Sequence, residues 1–283
     1  MKFGLYGINT GPCSDPDVAS RVEKAAEAAG FDSVWTAEHV VLPDPQAPPS
    51  PAPPQMKLLD PAVALSFLAA HTTRLLLATG IIILPQRNPV VLAKELASVD
   101  RLSKGRLVFG LGAGYLKPEF QALGVPFGDR GKRTDEYIEA IVALWTQEKP
   151  EYKGEYVAFG GIQANPHPVQ KPHPPIVVGG MSPSGLRRAA RYGNGWYGFA
   201  LDLDATRHAL EGLRAAEQRF DRSAALGRLE ITVTPTGAVD ADAARAYQAL
   251  GVDRLVLLNP GRNADDQLRF VEKAGRELVA ALA

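Results

Sequence analysis

Two hydrophobic periods exchange regularly along almost the whole chain, and this alternation constrains the fold more than any single motif. Strand-like apolar runs occupy 2–8, 32–36, 74–84, 106–111, 176–178, 195–200, 230–234 and 254–258. Helical periods fill 17–29, 61–71, 89–102, 131–146, 183–192, 205–220, 241–250 and 264–282. Strands separated by helices return to one sheet in parallel, and about eight such units close a barrel. The expected fold is α/β, a single (β/α)8 TIM barrel over residues 1–283. An open doubly wound sheet is the alternative.

Local punctuation agrees with these boundaries. Asn88-Pro89 and Ser182-Pro183 each place a capping side chain before a proline at the first helical position, and Gly30 follows the first helix as a C-cap. Two insertions interrupt the pattern, after strands two and four. The proline-rich stretch 42–61 is expected to be an extended loop on the C-terminal face, its part 42–57 a candidate lid. The stretch 150–175 reads as a hairpin around Lys153-Gly154 followed by an extended run.

The charge balance lowers several classes of partner. Lys+Arg 31 against Asp+Glu 31 leaves no net field to gather nucleic acid or an anionic membrane. The one cysteine, Cys13, can form neither an internal disulfide nor a thiolate metal cluster, and no His/Asp/Glu spacing suggests a catalytic metal. The N-terminal run lacks a signal-peptide core, and no apolar stretch is long enough to span a bilayer. A cytoplasmic protein is expected. The helix at 61–71 is apolar almost all round, which suggests a homodimer interface.

"GLGAGYLKPEF", Gly110 to Phe120, superficially resembles a dinucleotide fingerprint. That fingerprint needs G-x-G-x-x-G running straight into a helix. Here the spacing is G-x-G-x-G, and Tyr115 to Pro118 reads as a loop with a proline at a possible short helix start. A nicotinamide site is disfavoured, so Gly112 and Gly114 need another reason.

In a barrel, function gathers at the C-terminal strand ends. After strand two stand Glu38 and His39. His39 is a candidate proton donor or acceptor, against the plain reading of a hydrogen-bonded structural histidine. Gly80, inside the third strand, suggests a bulge or a close approach of ligand to backbone. After strand five, Gly179, Gly180, Met181 and Ser182 lead into a helix, an arrangement suited to a phosphate, with an ordinary strand-to-helix turn as the alternative. Arg130 is a candidate anion or substrate contact, whereas Lys132, Arg133 and Glu136 read as solvated helix pairs. His71, His167 and His173 read as structural.

The segments "FDSVWTAEHVVLP", "LLLATGIIILPQRNP", "GLGAGYLKPEFQALGVPFGDRGKRTDEY" and "HPPIVVGGMSPSGLRRAARYGNGW" together resemble the bacterial luciferase-like flavin monooxygenase superfamily, and within it the deazaflavin (coenzyme F-420)-dependent oxidoreductases. The resemblance extends to about Ala200. It implies a barrel that holds coenzyme F-420, or FMN, at the C-terminal strand ends. It places Gly179, Gly180, Met181 and Ser182 on the cofactor phosphate and Gly80-Ile81 behind the ring as a bulge, in several members with a non-proline cis peptide. It gives Gly112 and Gly114 the role of leaving room for ring and substrate, with Tyr115 pointing into the pocket. His39 becomes the proton donor or acceptor at the reacting face, and Glu38 stands where some members contact the deazaflavin through Asp. The family's sugar-phosphate dehydrogenases carry a catalytic glutamate at the position of Tyr115, so this chain departs from them.

The resemblance thus implies hydride transfer between coenzyme F-420 and a small organic substrate. An FMN-dependent monooxygenase is the nearest alternative. A non-catalytic flavin or deazaflavin carrier and a barrel isomerase or aldolase are the others, the Schiff-base version of the last lacking a well-placed lysine.

Overall fold

The structure is a computed structural model that describes residues 1–220 and 222–282. Its strands are β1 (Lys2–Tyr6), β2 (Ser33–Trp35), β3 (Leu76–Ala78), β4 (Leu107–Gly112), β5 (Ile176–Gly179), β6 (Gly195–Leu201), β7 (Glu230–Pro235) and β8 (Arg254–Leu258). All pair in parallel, neighbour to neighbour from β1 to β8, and β8 pairs back onto β1. The sheet therefore closes into the TIM barrel, and the open-sheet alternative is set aside. The third strand breaks at Gly80: its continuation, Ile82–Ile83, pairs with Leu111 and Gly112 of β4. The Gly80–Ile81 peptide between the two pieces is cis.

The outer layer comprises α1 (Pro16–Ala28), α2 (Pro61–Leu68), α3 (Pro89–Leu102), the short α4 (Lys117–Ala122), α5 (Arg130–Thr146), α6 (Pro183–Tyr192), α7 (Leu203–Arg219), α8 (Ala241–Leu250) and α9 (Ala264–Ala274). Four of them start on a proline preceded by a capping side chain: Asp15, Asp60, Asn88 and Ser182 accept from the first free N–H groups of α1, α2, α3 and α6. These caps fix where each helix begins, and so how far the loop from the preceding strand runs at the barrel mouth. No helix among the described residues is long and apolar enough to cross a membrane.

Residues 117–122 form the short helix whose possible start Pro118 marked, with the proline in its first turn and the flanking Gly124 at positive φ at the exit. One expectation needs correction. Glu136 is no solvated helix partner: its carboxylate accepts from the N–H groups of Glu155, Tyr156 and Val157 (2.9, 2.7 and 2.7 Å) and pins the hairpin Tyr152–Lys153/Ala158–Phe159 to α5. That hairpin follows α5 and folds back along it, with Arg133 over the Tyr156 ring.

Period-two alternation divides the core into two. Outward residues such as Phe3, Leu5, Phe109, Leu111 and Trp196 pack against the helices, while Trp35, Ala78, Val108, Val177, Tyr197 and Val256 fill the barrel interior. The interior is layered. At the N-terminal end Arg254 bridges Asp32 (2.8 Å) and Glu230 (2.6 Å), and Lys2 joins Glu230 (3.4 Å). Above this charged plug Trp35 and Tyr197 meet at 4.9 Å between ring centroids. The uppermost inward positions, Tyr6 and Leu258, are register partners, and Phe199 packs on Tyr6 at 5.0 Å. The plug closes one end of the barrel, and the aromatic layer makes the floor of the other.

Candidate active site

The loop after β2 carries Glu38 and His39, and their side chains have separate partners. Glu38 is buried. One of its carboxylate oxygens accepts from the Ile83 N–H, and the other accepts from Arg87, through Nε at 2.9 Å and through Nη2. Arg87 also donates to Asp60 (2.6 Å), the residue that caps α2. Burial pushes the Glu38 carboxyl above its ordinary range, against the pull of Arg87 and of the Ile83 N–H. Its oxygens are thus engaged inside the protein. Glu38 ties the β2 loop to the segment after the Gly80 break, and the expected cofactor contact gives way to this positioning role.

His39 sits in a different setting. Its Nδ1 lies 3.2 Å from Oε2 of Glu119, and Oε1 of the same carboxylate accepts from the Val40 N–H at 2.6 Å. Glu119 lies on α4 and is 1% exposed. On the other side of the ring Nε2 faces the Tyr115 hydroxyl at 3.4 Å, a long contact, with the two rings edge to face at 5.9 Å. A carboxylate at Nδ1 fixes the proton there and leaves Nε2 for exchange through the phenol. Burial, and secondarily Glu119, raise the Tyr115 pKa, so this hydroxyl stays protonated at neutral pH. Tyr115 is 48% exposed at the mouth.

The glycines after β4 and β5 have a cause other than the one expected. A Cβ on Gly179 would stand 2.5 Å from Cδ1 of Ile81, and one on Gly112 would overlap the same atom. Gly112 and Gly179 therefore open a slot for the Ile81 side chain. Gly114, at φ +75°, gives way to Ile83 and Phe120. The room is taken by the protein's own side chains, and Ile81, wedged between two strands, becomes the surface a flat ligand would meet. Arg130 is likewise turned inward. It donates to the carbonyls of Gly114 (3.1 Å) and Phe127 (3.0 Å) and stacks 3.8 Å over the Phe127 ring, so it braces the Tyr115 loop.

The segment after β5 remains open. Gly180 has φ +115° and no atom within 4 Å of where a Cβ would stand, and Met181 and Ser182 are exposed. Ser182 caps α6 by accepting from Gly185 N (3.2 Å). The N–H groups of Gly180, Met181, Ser182 and Ser184 find no acceptor among the described residues. Unclaimed N–H groups at a helix start form a cradle for an anion such as a phosphate. Arg187 and Arg188 of the same helix are both bound to Asp135 (2.5 Å each), so the cradle is built from backbone.

Sequence reasoning missed Glu119, Arg87 and Asn9. Buried Asn9 donates to the carbonyls of Ala37 (2.9 Å) and Leu59 (2.6 Å) and accepts from Ala37 N–H (2.8 Å), fastening the β1 loop, the β2 loop and the far end of the proline-rich stretch together. Clefts elsewhere on the molecule lie away from this chemistry. One of about 510 Å³, lined by Met1, Lys2, Arg228 and Asp253, is at the plugged end of the barrel.

Residues 6–278 match the family model described as luciferase-like monooxygenase. An uncharacterized protein of Mycobacterium tuberculosis (strain ATCC 25618 / H37Rv) is 33% identical over 293 aligned residues, covering all of both chains. The oxygenase component of a flavin-dependent trigonelline monooxygenase from Acinetobacter baylyi is 31% identical over 202 residues, 68% of this chain and 52% of its own. Among solved structures, an F-420-dependent secondary alcohol dehydrogenase in complex with an F-420–acetone adduct superposes with a TM-score of 0.81 at 16% identity, covering 100% of this chain and 99% of that one, a likeness of fold.

Proposed function

Because the chain belongs to the luciferase-like monooxygenase family, we propose that it is an oxidoreductase passing a hydride between coenzyme F-420 and a small organic substrate. The observation that carries this reading is the hydrogen-bonded series Glu119–His39–Tyr115 at the barrel mouth, beside the Ile81 wedge. The residues present fit such a cofactor. The N–H cradle of Gly180, Met181 and Ser182 would hold its phosphate, and Gly80-Ile81 would lie behind its ring. The deazaflavin, when bound, supplies two-electron hydride chemistry.

The protein handles the proton. Glu119 orients the imidazole and holds the proton on Nδ1, and Nε2 gives or takes a proton through the Tyr115 hydroxyl. Arg130 and the Glu38–Arg87–Asp60 network hold the two loops that carry these groups. The apolar floor of Phe199, Leu258 and Ile81 keeps water from the reacting face. Replacing His39 with Ala tests this role. Turnover of any substrate found by screening falls by about 100-fold or more, while cofactor affinity changes by about twofold at most. Equal losses in both would refute it.

A second reading, an FMN-dependent monooxygenase, is supported by the flavin-dependent trigonelline monooxygenase among the relatives. The same cradle and the same histidine would serve it.

A further inference from the structure

Tyr6 has no place in the series above, yet it stands at the floor of the same mouth. It is the last residue of β1, and alternation along that strand turns Phe3 and Leu5 to the helices and Tyr6 to the interior. Register pairs it with Trp35 and Leu258, and its ring is held against Phe199, which is 44% exposed at the mouth. Other tyrosine hydroxyls in the barrel are satisfied by the protein. Tyr197 bonds Thr234 Oγ1 (2.6 Å), Tyr247 donates to the Leu201 carbonyl (2.7 Å) and Tyr115 faces His39. The Tyr6 hydroxyl has no partner among the described residues, although its ring is fixed.

Resting on the oxidoreductase reading above, we propose that the Tyr6 hydroxyl donates a hydrogen bond to an oxygen of the substrate, and that the substrate is a small neutral molecule whose carbonyl or hydroxyl oxygen sits between Tyr6 and Tyr115. Neutrality follows from the surroundings. The groups set beside Tyr6 are Phe199, Leu258 and Trp35, and the carboxylates of the mouth, Glu38 and Glu119, are both spent on protein partners. A charged group held against Phe199 and Leu258 would exchange water for apolar contact, which disfavours it there. Burial, with the Tyr115 phenol as a second cause, holds the Tyr6 phenol well above its ordinary range, so it remains a donor at neutral pH. A fixed donor in an apolar floor discriminates strongly between a ligand that can accept its proton and one that cannot.

The test compares cyclohexanone with methylenecyclohexane, which has the same outline without the oxygen. Binding of each is measured by saturation-transfer NMR to the wild-type chain and to Tyr6→Phe, which keeps the ring against Phe199. The protein is loaded with F-420, or with FMN if that is what it takes. The ketone is expected to bind about tenfold more weakly to the variant while the hydrocarbon is unaffected. In wild-type protein labelled at tyrosine Cζ, the Tyr6 signal is expected to shift with the ketone alone, a readout that needs no variant. Equal weakening of both ligands, no weakening, a ketone held no better than the hydrocarbon by the wild type, or lost cofactor affinity in Tyr6→Phe would each overturn the proposal. A chain that binds neither cofactor but keeps the ketone preference would instead refute the oxidoreductase reading and leave the Tyr6 donor standing.

Discussion

Replacing Gly179 with Ala should destabilise the barrel by forcing Ile81 out of its slot. Gly179 is not in the left-handed region, so the new methyl meets no backbone strain. Its Cβ would, however, stand 2.5 Å from Ile81 Cδ1. Overpacking of a filled site costs about 1–3 kcal/mol, and loss of glycine's freedom in the unfolded chain offsets roughly 0.4–1 kcal/mol of it. A clash this close falls in the upper part of that range, for a net of about 1–2 kcal/mol. Ile81 has one easy escape, toward the mouth, which places it against the ring that the cofactor would present. Urea unfolding should therefore show a lower midpoint with an unchanged slope, and cofactor affinity should fall as well. Ile81→Val deletes the clashing Cδ1, so Gly179→Ala in that background should cost at least about 1 kcal/mol less. Additive effects in the double variant would refute the slot.

Further outcomes follow from buried charges and from the surface. Glu23 is buried, its Oε2 has no hydrogen-bond partner among the described residues, and burial raises its pKa to about 8 from an ordinary 4.5. A carboxyl raised on folding favours the protonated folded state. Stability should therefore fall between about pH 5 and 8, and Glu23→Gln should abolish that slope in denaturation measured across this range. Arg87→Met would leave the buried Glu38 carboxylate uncompensated and should cost about 3–5 kcal/mol, much of it recovered when Glu38→Gln is added. We also propose that the exposed Val63 and Phe67 of α2, 69% and 42% accessible, belong to a homodimer interface. Light scattering should give twice the 30.3 kDa chain mass, and a concentration-independent monomer would refute the dimer.

The barrel was legible because each of its strands and its long helices carries its own period, and because Pro-capped helix starts are local signals. Of helix α4 only a possible start at Pro118 was legible, since six residues around a proline show no periodicity. With the rest of it went Glu119, whose partner His39 is 80 residues away in sequence. Nothing local distinguishes a glutamate that will reach a histidine from one on a solvated turn. The glycines were visible as anomalies, but their cause was not. Gly112 and Gly179 answer to Ile81 through a break in a third strand, a relation that exists only once the barrel closes. Arg130 and Glu38 stand out in the sequence as candidate contacts, while the direction each side chain takes depends on neighbours brought in by other loops.

The central claim, that this mouth holds a deazaflavin, is tested most directly by titrating the purified protein with coenzyme F-420 and, separately, with FMN, followed by fluorescence. The account predicts saturable binding with clear preference for F-420. Preference for FMN, or binding of neither, would contradict it.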